Sequence, residues 1–312
     1  MKGCSRTVFP FSSVYDGRRG DIFTLKGMDI AMITLKNEQL TVTVKPYGAE
    51  LSGIRDNRTG REYLWQGEAS VWSGQAPILF PIVGRLSSDC FIYNGQKYYL
   101  QKHGFARKSN FEIHTAEPTH ASFSLASDED TRRVYPFDFL LTADYTLDGR
   151  TLTVTNTVQN TGETEMFFSL GAHPAFNIEL GDSVKFAEYE NFTTYLFNDS
   201  GLAAGQKTLA RHRKSIVITE HLFNNDALFF PDLVSTSAKI VTASGHDVLE
   251  MSFDKVPFVG LWAKPGAPFV CIEPWHGICD SPDVSGKIEE KPYINRLGAG
   301  DTFRFTYSIR IF

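Results

Sequence analysis

The sequence has little cysteine, no long apolar run and no excess of basic residues. Its four cysteines, Cys4, Cys90, Cys271 and Cys279, are too scattered for a disulfide framework, so we expect free thiols and a reducing, cytoplasmic location. No segment is apolar for long enough to span a bilayer as a helix. The formal net charge of -5 disfavours nucleic acid and anionic membranes as partners, because both select clustered lysine and arginine.

Residues 1–28 lack hydrophobic periodicity. They contain glycine, serine and arginine but not the continuous apolar segment of a signal peptide. We expect them to form a poorly ordered N-terminal extension. No linker rich in proline or serine divides the remaining chain, so residues 29–312 are predicted to form a single domain.

Helical periodicity is also scarce, whereas alternation of apolar and polar residues is frequent. In the C-terminal segment TFRFTYSIRIF every second residue is aromatic or aliphatic, which is typical of a strand with one buried face. The pairs Asp148-Gly149 and Asn94-Gly95 indicate hairpin turns, because glycine tolerates the positive φ of such turns. We predict an all-β fold of large, stacked antiparallel sheets, with only short helical turns near residues 68–73 and 221–230.

Three segments carry polar residues where a simple strand would not. Arg85 follows the apolar run of FPIVGRL, and His103 precedes Gly104 in QKHGFARKS; a surface arginine and a structural histidine remain open alternatives. His173 precedes Pro174 in GAHPAF, which holds its imidazole at a stiff strand exit among apolar side chains. A charged imidazole is costly there unless a partner or a reaction uses it.

The segment FVCIEPWHGICD combines a carboxylate with two thiols, an imidazole and an indole. If it begins as a strand, Cys271 and Glu273 share one face, Pro274 ends regular pairing and Trp275 forms an apolar wall. A carboxylate in this setting can have the raised pKa of a general base. A capping or salt-bridged glutamate is the alternative.

A metal site formed by Cys271, His276 and Cys279 is disfavoured, because their spacing lacks the C-x2-C knuckle and no second pair occurs. The sequence also lacks a glycine-rich phosphate loop, a G-x-S-x-G elbow and an H-E-x-x-H motif. We therefore expect neither a metal nor a cofactor.

Taken together, GAELSGIRDNRTGREYLWQG, PILFPIVGRL, HGFAR, GAHPAFN and GLWAKPGAPFVCIEPWHGICD resemble the aldose 1-epimerase (galactose mutarotase-like) superfamily, in particular its LacX-like branch. The resemblance covers nearly everything after the N-terminal extension. It implies a β-supersandwich with a sugar cleft on a concave face.

The resemblance also implies roles for individual residues. Glu273 resembles the general base, His173 the general acid and His103 the second catalytic-site histidine. Three more residues are expected to bind the substrate: Arg85 and Asp226 through sugar hydroxyls, and Lys264 from its place just before the Glu273 strand.

The implied reaction interconverts the α and β anomers of a hexose or related sugar by opening and closing the ring. It needs one base at the C1 hydroxyl and one acid at the ring oxygen. Two alternatives remain: a glycoside hydrolase, which needs two flanking carboxylates, and a non-catalytic sugar-binding sandwich. The sequence leaves open whether the sugar is a free hexose or a hexose phosphate, and whether the protein is a monomer or a dimer.

Overall fold

The computed structural model describes residues 13–15, 22–24 and 32–312. The predicted extension over residues 1–28 and the domain boundary at residue 29 lie largely outside the described residues. Both therefore stay predictions.

The described residues form 24 strands. The first twelve are β1 Ser13–Tyr15, β2 Ile22–Thr24, β3 Ile33–Lys36, β4 Leu40–Lys45, β5 Glu50–Asp56, β6 Ile78–Leu79, β7 Cys90–Tyr93, β8 Gln96–Tyr99, β9 Glu112–Ala116, β10 His120–Ala126, β11 Phe139–Asp148 and β12 Thr151–Asn160. The others are β13 Met166–Phe168, β14 Leu170–Ala172, β15 Ala175–Asn177, β16 Ser183–Phe197, β17 Ala203–Val217, β18 Leu228–Pro231, β19 Ser237–Val241, β20 Asp247–Phe253, β21 Phe258–Trp262, β22 Phe269–His276, β23 Asn295–Leu297 and β24 Thr302–Ile311.

Two large antiparallel sheets dominate the fold. The nine-stranded sheet has the order β17-β16-β19-β20-β24-β12-β11-β10-β9, and the six-stranded sheet has the order β18-β21-β22-β14-β6, with β15 also paired to β22. Side chains from both sheets join one buried cluster, for example Val154 and Phe305 from the first and Val270 and Ile272 from the second. The prediction of an all-β fold with large antiparallel sheets is confirmed.

The alternating segments form strands with one buried face. Along β24 the side chains of Phe305, Tyr307, Ile309 and Ile311 are buried, and the residues between them are partly or fully exposed. The predicted hairpins also form, because Asp148 pairs with Thr151 and Tyr93 pairs with Gln96. Both residues of the second turn, at positions 94 and 95, have positive φ.

Strand β22 departs from the prediction, because its pairing continues through Pro274. Pro274 lies opposite Val259 on one side. On the other side, β15 pairs with β22 up to Cys271 and β14 pairs from Trp275 onward, so Pro274 faces the break between them. The missing N–H of proline therefore costs no ladder hydrogen bond, and the expectation that Pro274 ends pairing is wrong.

Helices are few and short. Helix α1, Glu129–Val134, is closed by a capping box between Asp128 and Thr131, and 3-10 turns occur at Ser87–Asp89, Ala106–Lys108 and Ile288–Glu290. The segments 68–73 and 221–230 contain hydrogen-bonded turns and no helix. Within residues 32–312, where all these helices lie, none is long and apolar enough to cross a membrane.

Candidate active site

A cavity of about 270 Å³ lies against the six-stranded sheet. Ligand pockets in proteins usually measure about 300–1,000 Å³, so this volume suits a monosaccharide better than a long glycan. The strand residues that line it are Leu79 on β6, Phe197 at the end of β16, Phe229 on β18, Gly260 and Trp262 on β21, and Glu273 and Trp275 on β22. Loops contribute the remaining wall.

The centre of the cavity is a close contact between two buried side chains. Nε2 of His173 lies 3.3 Å from Oε2 of Glu273, and the side chains are only 9% and 4% exposed. Strands β14 and β15 both pair with β22, so the His173-Pro174 link between them runs alongside Glu273. The sheet therefore places an imidazole and a carboxyl group in contact, although they are far apart in the sequence.

Burial affects these two groups in opposite directions. It raises the pKa of the Glu273 carboxyl well above its usual value, and Lys102 opposes this effect while Asp226 adds to it. Burial lowers the pKa of the His173 imidazole to about 3, and the charges of Lys102 and Arg107 contribute to the decrease. Both shifts favour the uncharged forms, a protonated carboxyl beside a neutral imidazole.

His103 is fixed by a tight turn. Its backbone has a φ of 68°, and the N–H of Gly84 donates to its Nδ1 at 3.1 Å. The next residue, Gly104, also has positive φ, and a Cβ there would collide with the carbonyl oxygen of Phe80. Burial holds the pKa of His103 well below its usual range, so the ring is neutral and its Nε2 carries the proton. The ring can thus donate a hydrogen bond into the cavity.

Aromatic rings hold the histidines in place. Trp72 stacks on His173 with ring centroids 5.2 Å apart, and Trp262 meets the same ring edge-on at 5.6 Å. Trp275 contacts His103 at 5.5 Å, and its Nε1 donates to the carbonyl oxygen of Ala172. The wall predicted for Trp275 is present in the cavity. Sequence reasoning missed Trp72 and Trp262; Trp72 falls in the segment 68–73, which was interpreted only as a helical turn.

The substrate-binding candidates divide into two groups. Asp226 and Lys264 line the cavity together with the predicted catalytic residues. Arg85 does not: its Nε lies 3.2 Å from a carboxylate oxygen of Asp89, and it donates to the carbonyl oxygen of Ser200. The role expected for Arg85 stays a prediction, and in this conformation its side chain points to other partners.

Two further cations line the cavity. They are Arg107 and Lys102, and the Arg107 guanidinium donates to the carbonyl oxygen of Lys102 at 2.9 Å. Arg107 belongs to the HGFAR segment, so its position in the sequence could have suggested this placement.

One group of side chains combines three types of metal ligand. Ligand atoms of His173, Cys271 and Glu273 lie within 4.8 Å of one another. This trio shares only Cys271 with the trio considered from the sequence. The ring of His276 packs edge-on against Phe303 and Phe305.

The cavity and fold can be compared with known proteins. The sequence profile of the aldose 1-epimerase family matches residues 31–282. The plasmid-encoded protein LacX of Lactococcus lactis subsp. lactis is 34% identical, and the alignment covers 89% of this chain and 99% of LacX.

Solved structures agree with this assignment. A galactose mutarotase related enzyme from Lactobacillus acidophilus has a TM-score of 0.86 at 30% identity, covering 90% of this chain and 97% of that one. A galactose mutarotase-like protein from Lactobacillus casei shares the fold, with a TM-score of 0.85 at 23% identity over 90% of this chain and 100% of that one. The chain therefore belongs to the aldose 1-epimerase family, in the branch that contains LacX.

Proposed function

We propose that the protein is an aldose 1-epimerase that interconverts the α and β anomers of a hexose or a related sugar. The observation that carries the proposal is the contact between His173 and Glu273, 3.3 Å apart in a cavity of monosaccharide size. A family profile that covers most of the chain supports it.

In the proposed mechanism the pair uses its single proton. Glu273 removes the proton from the C1 hydroxyl while His173 donates its proton to the ring oxygen, and the ring opens to the aldehyde. Rotation about the C1–C2 bond exposes the other face of the carbonyl, and the reverse transfers close the ring. His103 donates a hydrogen bond from Nε2 to a sugar oxygen and so orients the substrate.

Burial determines which protonation form of the pair predominates. A base and an acid work best when they change charge easily at the working pH, and each contributes about 10²–10⁴-fold to the rate. A carboxyl with a raised pKa and an imidazole with a lowered pKa favour the uncharged pair, so the ionic pair that starts the reaction lies above it in free energy. The ionic form needed for the first step thus arises by moving one proton across the 3.3 Å contact.

The cations of the cavity bear on the substrate. Lys102, Arg107 and Lys264 line the cavity, and none of them has a carboxylate partner within 4 Å among the described residues. A hexose phosphate is therefore tested beside free hexoses, because its anionic group would contact such side chains. The free thiols of Cys90, Cys271 and Cys279 support a cytoplasmic location.

The test is the rate of anomer exchange for glucose, galactose and glucose 6-phosphate, measured by exchange NMR. For the accepted sugar, Glu273→Gln should lower kcat/KM by about 10²–10⁴-fold, since the amide cannot accept the proton. The control is Glu290→Gln, an exposed position outside the cavity, which should exchange at the wild-type rate.

Other outcomes identify other functions. Wild-type exchange by Glu273→Gln would refute the role of this residue. Sugar binding without exchange would favour a binding protein. Release of reducing sugar from a glycoside would favour a hydrolase that pairs Glu273 with Asp226, which lines the same cavity.

A further inference from the structure

A nitrogen, a sulfur and an oxygen ligand converge beneath the cavity. His173, Cys271 and Glu273 are all buried, Cys271 completely, and their ligand atoms lie within 4.8 Å of one another. Across the part of the chain that the structure describes, no other three metal-ligating side chains form such a cluster. The proposed reaction uses His173 and Glu273 but has no use for the thiol.

The cluster is built on paired strands and not on loops. Cys271 and Glu273 are two residues apart on β22, so their side chains leave the same face of the strand. Ala175 of β15 is paired with Cys271, and His173 precedes Ala175 by two residues. The three side chains are therefore held in position by the sheet before any ligand arrives.

The distances are close to those of a tetrahedral zinc site. Zinc–ligand bonds of about 2.0–2.3 Å place neighbouring ligand atoms about 3.4–3.6 Å apart. The imidazole and carboxylate already satisfy this spacing at 3.3 Å. The thiol lies within 4.8 Å of both, so a shift of about 1 Å, which a rotation about its single side-chain torsion can provide, completes the set.

The other ring nitrogen of His173 lacks a partner. Nδ1 of His173 is buried and has no hydrogen-bond partner among the described residues. Buried polar atoms are nearly always paired, because an unpaired one costs about 1–3 kcal/mol. The ring is held by its stacking on Trp72 and its contact with Glu273, and Nε2 is the nitrogen that faces the carboxylate of the cluster.

We propose that His173, Cys271 and Glu273 form an inhibitory site for a dication of the zinc class. The metal would bind the imidazole nitrogen, the thiolate sulfur and a carboxylate oxygen, with a fourth position open to water from the cavity. Binding releases to solvent the thiol proton and the proton held by the His173–Glu273 pair. A soft thiolate selects zinc or cadmium over magnesium, which requires octahedral oxygen ligands.

Inhibition follows from the choice of ligands. A metal at this site occupies both groups that move protons in the proposed mechanism, so anomer exchange should stop while it is bound. This consequence rests on the proposed function. Metal binding itself does not, and it can be measured without any sugar.

The binding test uses the full chain with Cys4, Cys90 and Cys279 replaced by alanine, which leaves Cys271 as the single thiol. Titration with cadmium should produce the ultraviolet absorption of a cadmium–thiolate bond at one metal per chain. Adding Cys271→Ser should abolish this band and weaken zinc binding by at least about tenfold. Loss of a residue that merely supports a metal ligand already lowers affinity by about 10–100-fold. A chain without the band, or with unchanged zinc affinity after Cys271→Ser, would overturn the site.

Matched variants address folding and inhibition. Cys279→Ala alters another buried thiol, which lines the cavity but lies outside the cluster, and it should retain zinc binding. Thermal unfolding checks that Cys271→Ser is folded, and Cys271→Ala serves if the serine variant is not. In the exchange assay, zinc but not magnesium should inhibit the wild type, and Cys271→Ser should need at least about tenfold more zinc for half inhibition.

Each of the two proposals can be refuted independently of the other. Zinc binding by a protein that exchanges no sugar would refute the proposed function and leave the metal site standing. Exchange that zinc does not affect, in a protein with no cadmium–thiolate band, would refute the metal site and leave the proposed function standing.

Discussion

Burial raises the pKa of Glu273 and lowers that of His173 to about 3, so the form of the pair that carries one proton is favoured from both sides. Two events can disable the pair: uptake of a second proton or loss of the only one. Uptake of a second proton is shifted to low pH, because burial disfavours the charged imidazole. Loss of the only proton is shifted to higher pH, because burial disfavours the charged carboxylate.

The pH dependence of catalysis should therefore lack the usual histidine step. We predict that kcat/KM for anomer exchange shows no acid limb near pH 6.5, the ordinary pKa of imidazole, since burial lowers the pKa of both His173 and His103. The measurement is exchange NMR across this range, with the rate of the uncatalysed reaction subtracted at each pH. An acid limb near pH 6.5 would show that a histidine of the cavity titrates normally, contrary to this expectation.

Local motifs, together with the family resemblance, predicted part of the cavity. His103, His173, Asp226, Lys264 and Glu273 all line it. Their catalytic and binding roles stay predictions. The direction of a long side chain depends on tertiary partners that a local motif does not reveal. Arg85 is an example: its side chain is directed to Asp89 and to the carbonyl oxygen of Ser200, which the motif does not reveal.

At the scale of elements, a buried ion pair joins the segment after β22 to the 3-10 turn Ile288–Glu290. Nζ of Lys291 lies 2.5 Å from Oδ1 of Asp280, with both side chains about 95% buried, and Oδ2 of Asp280 accepts from the N–H of Ser87. Three separate segments thus meet at one carboxylate. A buried charge that loses its partner is costly, because the remaining ion cannot be solvated.

Lys291→Met should lower the free energy of unfolding by about 3–5 kcal/mol, as measured by urea denaturation. The double variant Asp280→Asn/Lys291→Met should recover part of this loss, since it leaves no charge buried. Lys287→Met is the control, because its ion pair with Glu290 is exposed and should contribute nothing measurable. Equal effects of Lys287→Met and Lys291→Met would mean that burial of the pair is unimportant.

Regular elements followed from the sequence where periodicity or a turn signal was strong. The β24 strand and the hairpins at Gly95 and Gly149 are examples. Helix α1 was missed because its six residues are too few for periodicity, and the capping box of Asp128 and Thr131 was the available signal. The continuation of β22 through Pro274 depends on a gap in a neighbouring strand, which local sequence does not show.

At the scale of the whole molecule, the active-site contact is a product of topology. Glu273 and His173 meet because β14 and β15 both pair with β22, about a hundred positions along the chain. Composition and periodicity predicted large antiparallel sheets but not which strands are neighbours. Only the resemblance to a known family brought these residues together before the structure did.

The extent of the folded unit gives the last prediction. The family profile begins at residue 31, and β3 is the first strand with a described buried side chain, Leu35. We therefore expect residues 29–312 alone to exchange anomers at the full-length rate and to unfold at the same temperature. A chain of this size loses about 1.5 °C in Tm for each kcal/mol, so differential scanning calorimetry can detect a contribution from residues 1–28. The comparison is a chain of residues 37–312, which lacks β3 and should unfold at a clearly lower temperature, because β4 loses one of its two partners and the core loses Leu35. If residues 29–312 were destabilised as much as residues 37–312, the segment before residue 29 would belong to the domain and the predicted boundary would be wrong.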